Sequence, residues 1–123
     1  MNLSFQPQFV EPILNGTKIH TIREDKHNRW HVGSIIHFCT GLRTKDYNCF
    51  DKGFVVSVQT INIMYHWKQL GPKYIVPVVT VDHKIVNIGE LARNDGFNSA
   101  DDFLKWFDDD FSGKIIHWTE ARY

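Results

Sequence analysis

Two hydrophobic periods alternate along this chain, and each change of period marks a predicted element. Phe9, Val10, Ile13 and Leu14 recur at helical spacing while Glu11 and Asn15 fall on the wet side, which predicts a short amphipathic helix. Pro12 is compatible with it, because a donor in the first helical turn has no intrahelical partner to lose. Gly16 can adopt the left-handed conformation that stops a helix, and the β-branched Thr17, Ile19, Thr21 and Ile22 then favour an extended strand. Strict alternation would put Thr17, Ile19, Thr21 and Arg23 on one face of that strand and Lys18, His20 and Ile22 on the other. At ~3.3 Å per residue, Lys18 and Thr21 would lie roughly 10 Å apart, so a partnership between them requires Lys18 to sit on the turn or a bulge and reach round with its long stem.

Further along, the period-two signal dominates. Residues 34–40 read as a strand after the Val32-Gly33 turn, and residues 53–64 as a longer strand or one with a bend. Residues 65–74, polar and aromatic with Gly71-Pro72, predict a surface connection. Residues 75–81 are strongly β-prone, and the turn at Asp82-His83-Lys84 folds them back onto Ile85-Val86. Asn87-Ile-Gly-Glu90 has the spacing of a capping box, and Ser99-Ala-Asp-Asp102 places acids in a first helical turn; both predict helix starts. Residues 114–122 read as a closing strand. No repeat, low-complexity tract or linker interrupts the sequence, so residues 1–123 are expected to form a single domain of the α+β class.

Chemistry concentrates near the start, where Lys18, Thr21 and Arg23 bring an amine, a hydroxyl and a guanidinium close to one turn. The run of an apolar helix followed by Gly16-x-Lys18-x-x-Thr21-x-Arg23 resembles the opening of ASCH domains, a group related to the PUA fold that includes small bacterial hydrolases acting on N4-acetylcytidine. Residues 90–107, with an apolar helix, an Asp95-Gly96-Phe97 turn and a second helix ending in Trp106-Phe107, are similar to the helical segment of the same group. The resemblance implies a small mixed β-barrel with a short N-terminal helix and a late helical pair. It also implies that Lys18 and Thr21 are catalytic, together with Asp95, which stands where that family has Glu and is one methylene shorter. The implied reaction starts with a neutral Lys18 taking the proton of Thr21, whose oxygen attacks the acetyl carbonyl of the substrate amide. Asp95 would orient Lys18 or relay a proton to the departing amino group, and Arg23 or a backbone N–H would stabilise the oxyanion. No cofactor is implied.

Composition narrows the alternatives. A content of 42% hydrophobic and 14% aromatic residues excludes a disordered chain, and no apolar run is long enough to span a membrane. A soluble cytoplasmic protein is the expectation, with Cys39 and Cys49 as buried or idle thiols rather than a disulfide. Fourteen Lys plus Arg balance fourteen Asp plus Glu, so the broad field of a nonspecific nucleic-acid binder is missing and no DNA partner is expected. Positive residues do collect early, at Lys18, Arg23, Lys26, Arg29, Arg43 and Lys45. His27 and His31 have the spacing of a helical metal pair, but Asn28, Trp30 and the Val32-Gly33 break argue against a helix, and no metal site is expected. Of the four tryptophans, Trp30 and Trp118 are the favoured stacking platforms for a nucleobase, with Phe5 as another and Gln6 as an edge reader; Trp67 is a weaker candidate, and Trp106 is assigned to the core with Phe103 and Phe107. Two functions from different classes remain open: an amidohydrolase acting on a small nucleoside-like substrate, and a PUA-type module that binds RNA or a modified base without reaction.

Overall fold

The computed structural model describes residues 2–65 and 77–123, and the expected connection over 65–74 lies outside them apart from Tyr65. Strand β1 (Asn2–Phe5) leads through a single 3-10 turn (Pro7–Phe9) into helix α1 (Val10–Leu14). Strands β2 (His20–Arg23), β3 (Ile35–Thr40), β4 (Asn48–Phe54), β5 (Ser57–Met64), β6 (Val78–Val81) and β7 (Lys84–Ile85) follow. Helices α2 (Ile88–Asn94) and α3 (Ala100–Trp106) then precede strand β8 (Phe111–His117). This is an α+β arrangement dominated by sheet. The strands hydrogen-bond as two sheets, ordered β1-β3-β4 and β2-β8-β5-β6-β7, and among the described residues no ladder joins their edges into a barrel.

Strand β8 is an interior strand of the larger sheet, between β2 and β5. It pairs antiparallel with β2 (His20↔His117, Arg23↔Lys114) and with β5 (Ser57↔His117, Ile63↔Phe111). Burial on both sides explains why Ile115, Ile116 and His117 have no exposed surface while β5 alternates, turning Ser57, Gln59, Ile61 and Ile63 inward. Gly113 is required at one point of this ladder, since a β-carbon there would sit 2.4 Å from the Arg23 carbonyl oxygen.

Several local predictions are met for the reasons given. Asn87 and Ser99 accept hydrogen bonds from the backbone N–H of Glu90 (2.9 Å) and Asp102 (3.2 Å), capping α2 and α3. Asp82 and His83, both at positive φ, form the two-residue turn that pairs β6 with β7. Residues 53–64, expected as a longer strand or one with a bend, are the end of β4 and the whole of β5, broken at Val55-Val56, and the closing strand runs earlier than expected, from Phe111 to His117. Strand β1 carried too short an alternation to be seen, yet it pairs parallel with β3.

The reading of Cys39 and Cys49 as thiols is corrected. Placed opposite one another in the β3–β4 ladder, next to a register shift at Phe38/Cys39, they form a disulfide. No helix among the described residues is long and apolar enough to cross a membrane.

Candidate functional site

The α1–β2 connection is built by capturing backbone from both sides. Gly16 takes φ +81°, Lys18 N–H donates to the Pro12 carbonyl (2.9 Å), and Ile19 N–H donates to the Asn94 carbonyl at the end of α2 (2.8 Å). Lys18 therefore lies before β2 rather than on it, which releases it from the strand alternation, as a partnership with Thr21 requires. Across from it, α2 ends in a Schellman turn: Gly96 N–H donates to Arg93 O (3.0 Å) and Phe97 N–H to Ala92 O (2.9 Å), with Gly96 at φ +89°. That turn fixes Asp95 and lays Gly96 against the Lys18 stem, where a β-carbon would meet Cδ at 3.0 Å and Cβ at 3.1 Å.

At the junction, Lys18 Nζ donates to the Asp95 carbonyl oxygen (2.7 Å) and to its Oδ1 (3.0 Å), with Lys18 only 2% and Asp95 3% exposed. His20 Nδ1 lies 3.1 Å from the same Oδ1, and its Nε2 lies 2.6 Å from the Tyr123 hydroxyl, which in turn receives Asn94 Nδ2–H at 3.0 Å. The roles follow from the two ends of this chain. Asn94 donates to the Tyr123 oxygen, and the ionised Asp95 carboxylate can only accept, so His20 Nδ1 carries a proton and donates it to Asp95. Burial pushes the Tyr123 hydroxyl up to about 12, so it keeps its proton beside His20 Nε2. Among the described residues, Asp95 Oδ2 takes none of these bonds.

The Lys18 ammonium also lies 4.9 Å from the Phe9 ring centre and 5.7 Å from that of Phe5. Desolvation is the largest influence on it and lowers its pKa below 10.5; Asp95 opposes this by charge and hydrogen bond, and Arg23 adds to it. A buried amine drawn toward neutrality can act as a base.

These groups line one cavity of about 250 Å³. Six of the residues singled out from sequence surround it: Lys18, Thr21, Asp95, Arg23, Phe5 and Gln6. Thr21 is buried, and its Oγ1 accepts a long bond from Arg23 Nε (3.4 Å). No hydrogen bond joins it to Lys18 among the described contacts. Arg23 Nη2 donates to the Ser4 carbonyl (2.9 Å), and the guanidinium lies over the Phe5 ring at 5.0 Å.

The two favoured platforms are not in this cavity. Trp30, in the loop after β2, is buried in the core and borders a neighbouring cleft, and Trp118, just past the end of β8, packs edge-on against Phe38 at 4.9 Å. The tryptophan that does line the cavity is Trp106, assigned above to the core: it is 46% exposed, standing edge-on to Phe9 (5.6 Å) and Phe97 (5.6 Å), while Phe103 takes the interior position. Trp67 lies outside the described residues. His20, Asn94 and Tyr123 went unrecognised; the alternation that set His20 on the face of Lys18 was the available signal for the first, and nothing local marked the others.

No family model, no curated protein and no solved structure matches this chain.

Proposed function

We propose that this cavity hydrolyses an acyl amide on a nucleobase-like ring, of the N4-acetylcytidine type, in a domain of the ASCH and PUA-like barrel class. The observation that carries the reading is the convergence of Lys18, Thr21 and Asp95, 77 residues apart at the extremes, on one small cavity, with the buried amine held on the acid by two hydrogen bonds. Neutral Lys18 takes the Thr21 proton, and Oγ1 attacks the acyl carbon to give a tetrahedral oxyanion. Arg23, whose Nε lies 3.4 Å from Oγ1, is the guanidinium at hand beside the attacking oxygen to stabilise that charge. Collapse breaks the C–N bond, and the proton held by Lys18 passes to the departing amino group, with Asp95 keeping the ammonium in place. Water then cleaves the threonyl ester and releases the carboxylic acid. The Lys18–Thr21 contact must close in the substrate complex, as catalytic hydrogen bonds that are long in the free enzyme commonly do. Asp95 is short for a role filled by Glu elsewhere, and a displacement of roughly 1 Å can cost about a hundredfold in rate. Here the Asp95 carbonyl shares the grip on Lys18 and the His20–Tyr123 chain steadies the carboxylate, which offsets the lost reach.

A second reading, a module that binds RNA or a modified base without turnover, is favoured by the missing Thr21–Lys18 bond and by the aromatic wall of Phe9, Phe97 and Trp106. Incubating the protein with N4-acetylcytidine and following loss of the acetylated chromophore separates the two. Turnover abolished in both Lys18→Ala and Thr21→Ala is the expected result. Absence of turnover at high protein concentration, with ligand affinity of Thr21→Ala within a few fold of the parent, establishes the binder instead.

A further inference from the structure

We infer that the ligand of this cavity carries a phosphate group, bound outside the cavity by Arg23 together with Lys26 and Arg29; the inference rests on the nucleobase-like reading above. Size comes first. At about 250 Å³ the cavity is smaller than the ~300 Å³ at which pockets for drug-sized ligands begin, so it holds a base and its acyl group but not the attached sugar and phosphate. Those parts must leave through a wall, and Arg23 is the residue that this cavity shares with a neighbouring cleft of about 340 Å³.

Arg23 is built for an anion it does not have. Its Nε and one Nη2 hydrogen are committed to neutral oxygens, Thr21 Oγ1 and Ser4 O, which leaves Nη1 and the rest of Nη2 from the five-donor fork. Among the described residues no carboxylate lies within ion-pair distance of it. Asp95, the acid whose field reaches it, is held by Lys18 and His20. Partial burial depresses the Arg23 pKa, and the charge of Asp95 only opposes that shift.

The cleft beyond supplies further positive charge. Lys26, His27 and Arg29 border it with Arg23, and its one acid, Asp25, is turned to its own loop, accepting the backbone N–H of Arg29 (2.8 Å) and Trp30 (3.4 Å). The only ion pair of the rim among the described residues, Lys26–Glu24 at 3.3 Å, is solvent-exposed on both sides and readily exchanged for a phosphate oxygen. A planar fork beside two flexible cations suits the charge and the multiple acceptors of a phosphate better than a lone carboxylate.

Two measurements test this. In the first, cytidine, cytidine 5′- and 3′-monophosphate and a short cytidine-containing RNA are titrated by calorimetry. At least one phosphorylated form should bind roughly tenfold to a hundredfold more tightly than cytidine. The preference should vanish in Arg23→Gln and shrink in Lys26→Ala/Arg29→Ala, with cytidine affinity unchanged in the double variant. Equal affinity for the mononucleotide and the RNA assigns the site to free nucleotides, and tighter RNA binding assigns it to a strand. Equal binding of cytidine and every phosphorylated form, or a preference that survives Arg23→Gln, overturns the inference. In the second, inorganic phosphate is titrated into protein carrying ¹⁵N-labelled arginine, where the Arg23 Nε–H signal should shift; a stationary signal overturns the inference without reference to any base. Phosphate-dependent binding without turnover would sustain this site and defeat the hydrolase reading, whereas turnover without phosphate preference would do the reverse.

Discussion

Acidification should destabilise this fold through one imidazole, and the structure sets the size of the effect. His117 ends β8 with no exposed surface, its Nε2 2.9 Å from Gln59 Oε1 and its Nδ1 without a hydrogen-bond partner among the described residues. A neutral ring donates from Nε2 and leaves Nδ1 bare, so protonation would place a second N–H where nothing accepts it. Burial first, then the proximity of His20 and Arg122, with Asp82 opposing, pull its pKa from 6.5 down to about 4. Between those values the unfolded chain binds the proton and the folded chain does not, so stability rises with pH across the window and is lost as pH falls from 6.5 to 4. A displacement of roughly 2.5 pH units at about 1.4 kcal/mol each gives a loss on the order of 3 kcal/mol, a large part of the ~5–15 kcal/mol that holds a typical domain. The assay is urea unfolding, followed by tryptophan fluorescence from pH 7 to pH 4, of the parent and of His117→Gln. The glutamine keeps a donor for Gln59 and does not titrate, and the contribution of the carboxylates cancels between the two proteins. The parent should lose about 3 kcal/mol more than the variant. Parallel losses would refute the assignment of a buried neutral His117.

Other perturbations have defined outcomes. Gly96→Ala forces a side chain into left-handed backbone and against the Lys18 stem; a loss of about 1–2 kcal/mol by denaturant titration should accompany reduced activity or binding. Tyr123→Phe removes the middle of the Asn94–Tyr123–His20 chain. In the parent, the native hydroxyl keeps its proton to about pH 12 while the unfolded one loses it near 10, so stability falls as pH rises from 10 to 12, and in the variant this part of the alkaline slope should disappear from unfolding curves. Reduction of Cys39–Cys49, which closes a sequence separation of 10 residues, should cost about 2–3 kcal/mol in unfolding experiments with and without dithiothreitol, and Cys39→Ser/Cys49→Ser should reproduce it.

Local rules carried the sequence a long way. Helical spacing over residues 9–14, the stop at Gly16, the caps at Asn87 and Ser99 and the hairpin at Asp82-His83 involve neighbours a few positions apart, and propensity and steric preference decide such features before the chain folds. The same locality made Lys18, Thr21 and Arg23 legible as a chemical cluster. What the sequence could not reveal depended on partners far along the chain. Cys39 meets Cys49 because a register shift in β3–β4 sets them opposite, and Trp106 borders the cavity because Phe103 fills the core from the same helix. Trp30 and Trp118 are drawn inward by the burial of their apolar surface. Asp95 reaches Lys18 and His20, and Tyr123 reaches His20, only after α2 docks on the α1–β2 connection through Ile19 N–H and Asn94 O. Desolvation completes the division: the Lys18 amine, legible in the sequence, has ordinary chemistry in water, and only its enclosure beside Asp95 lowers its pKa.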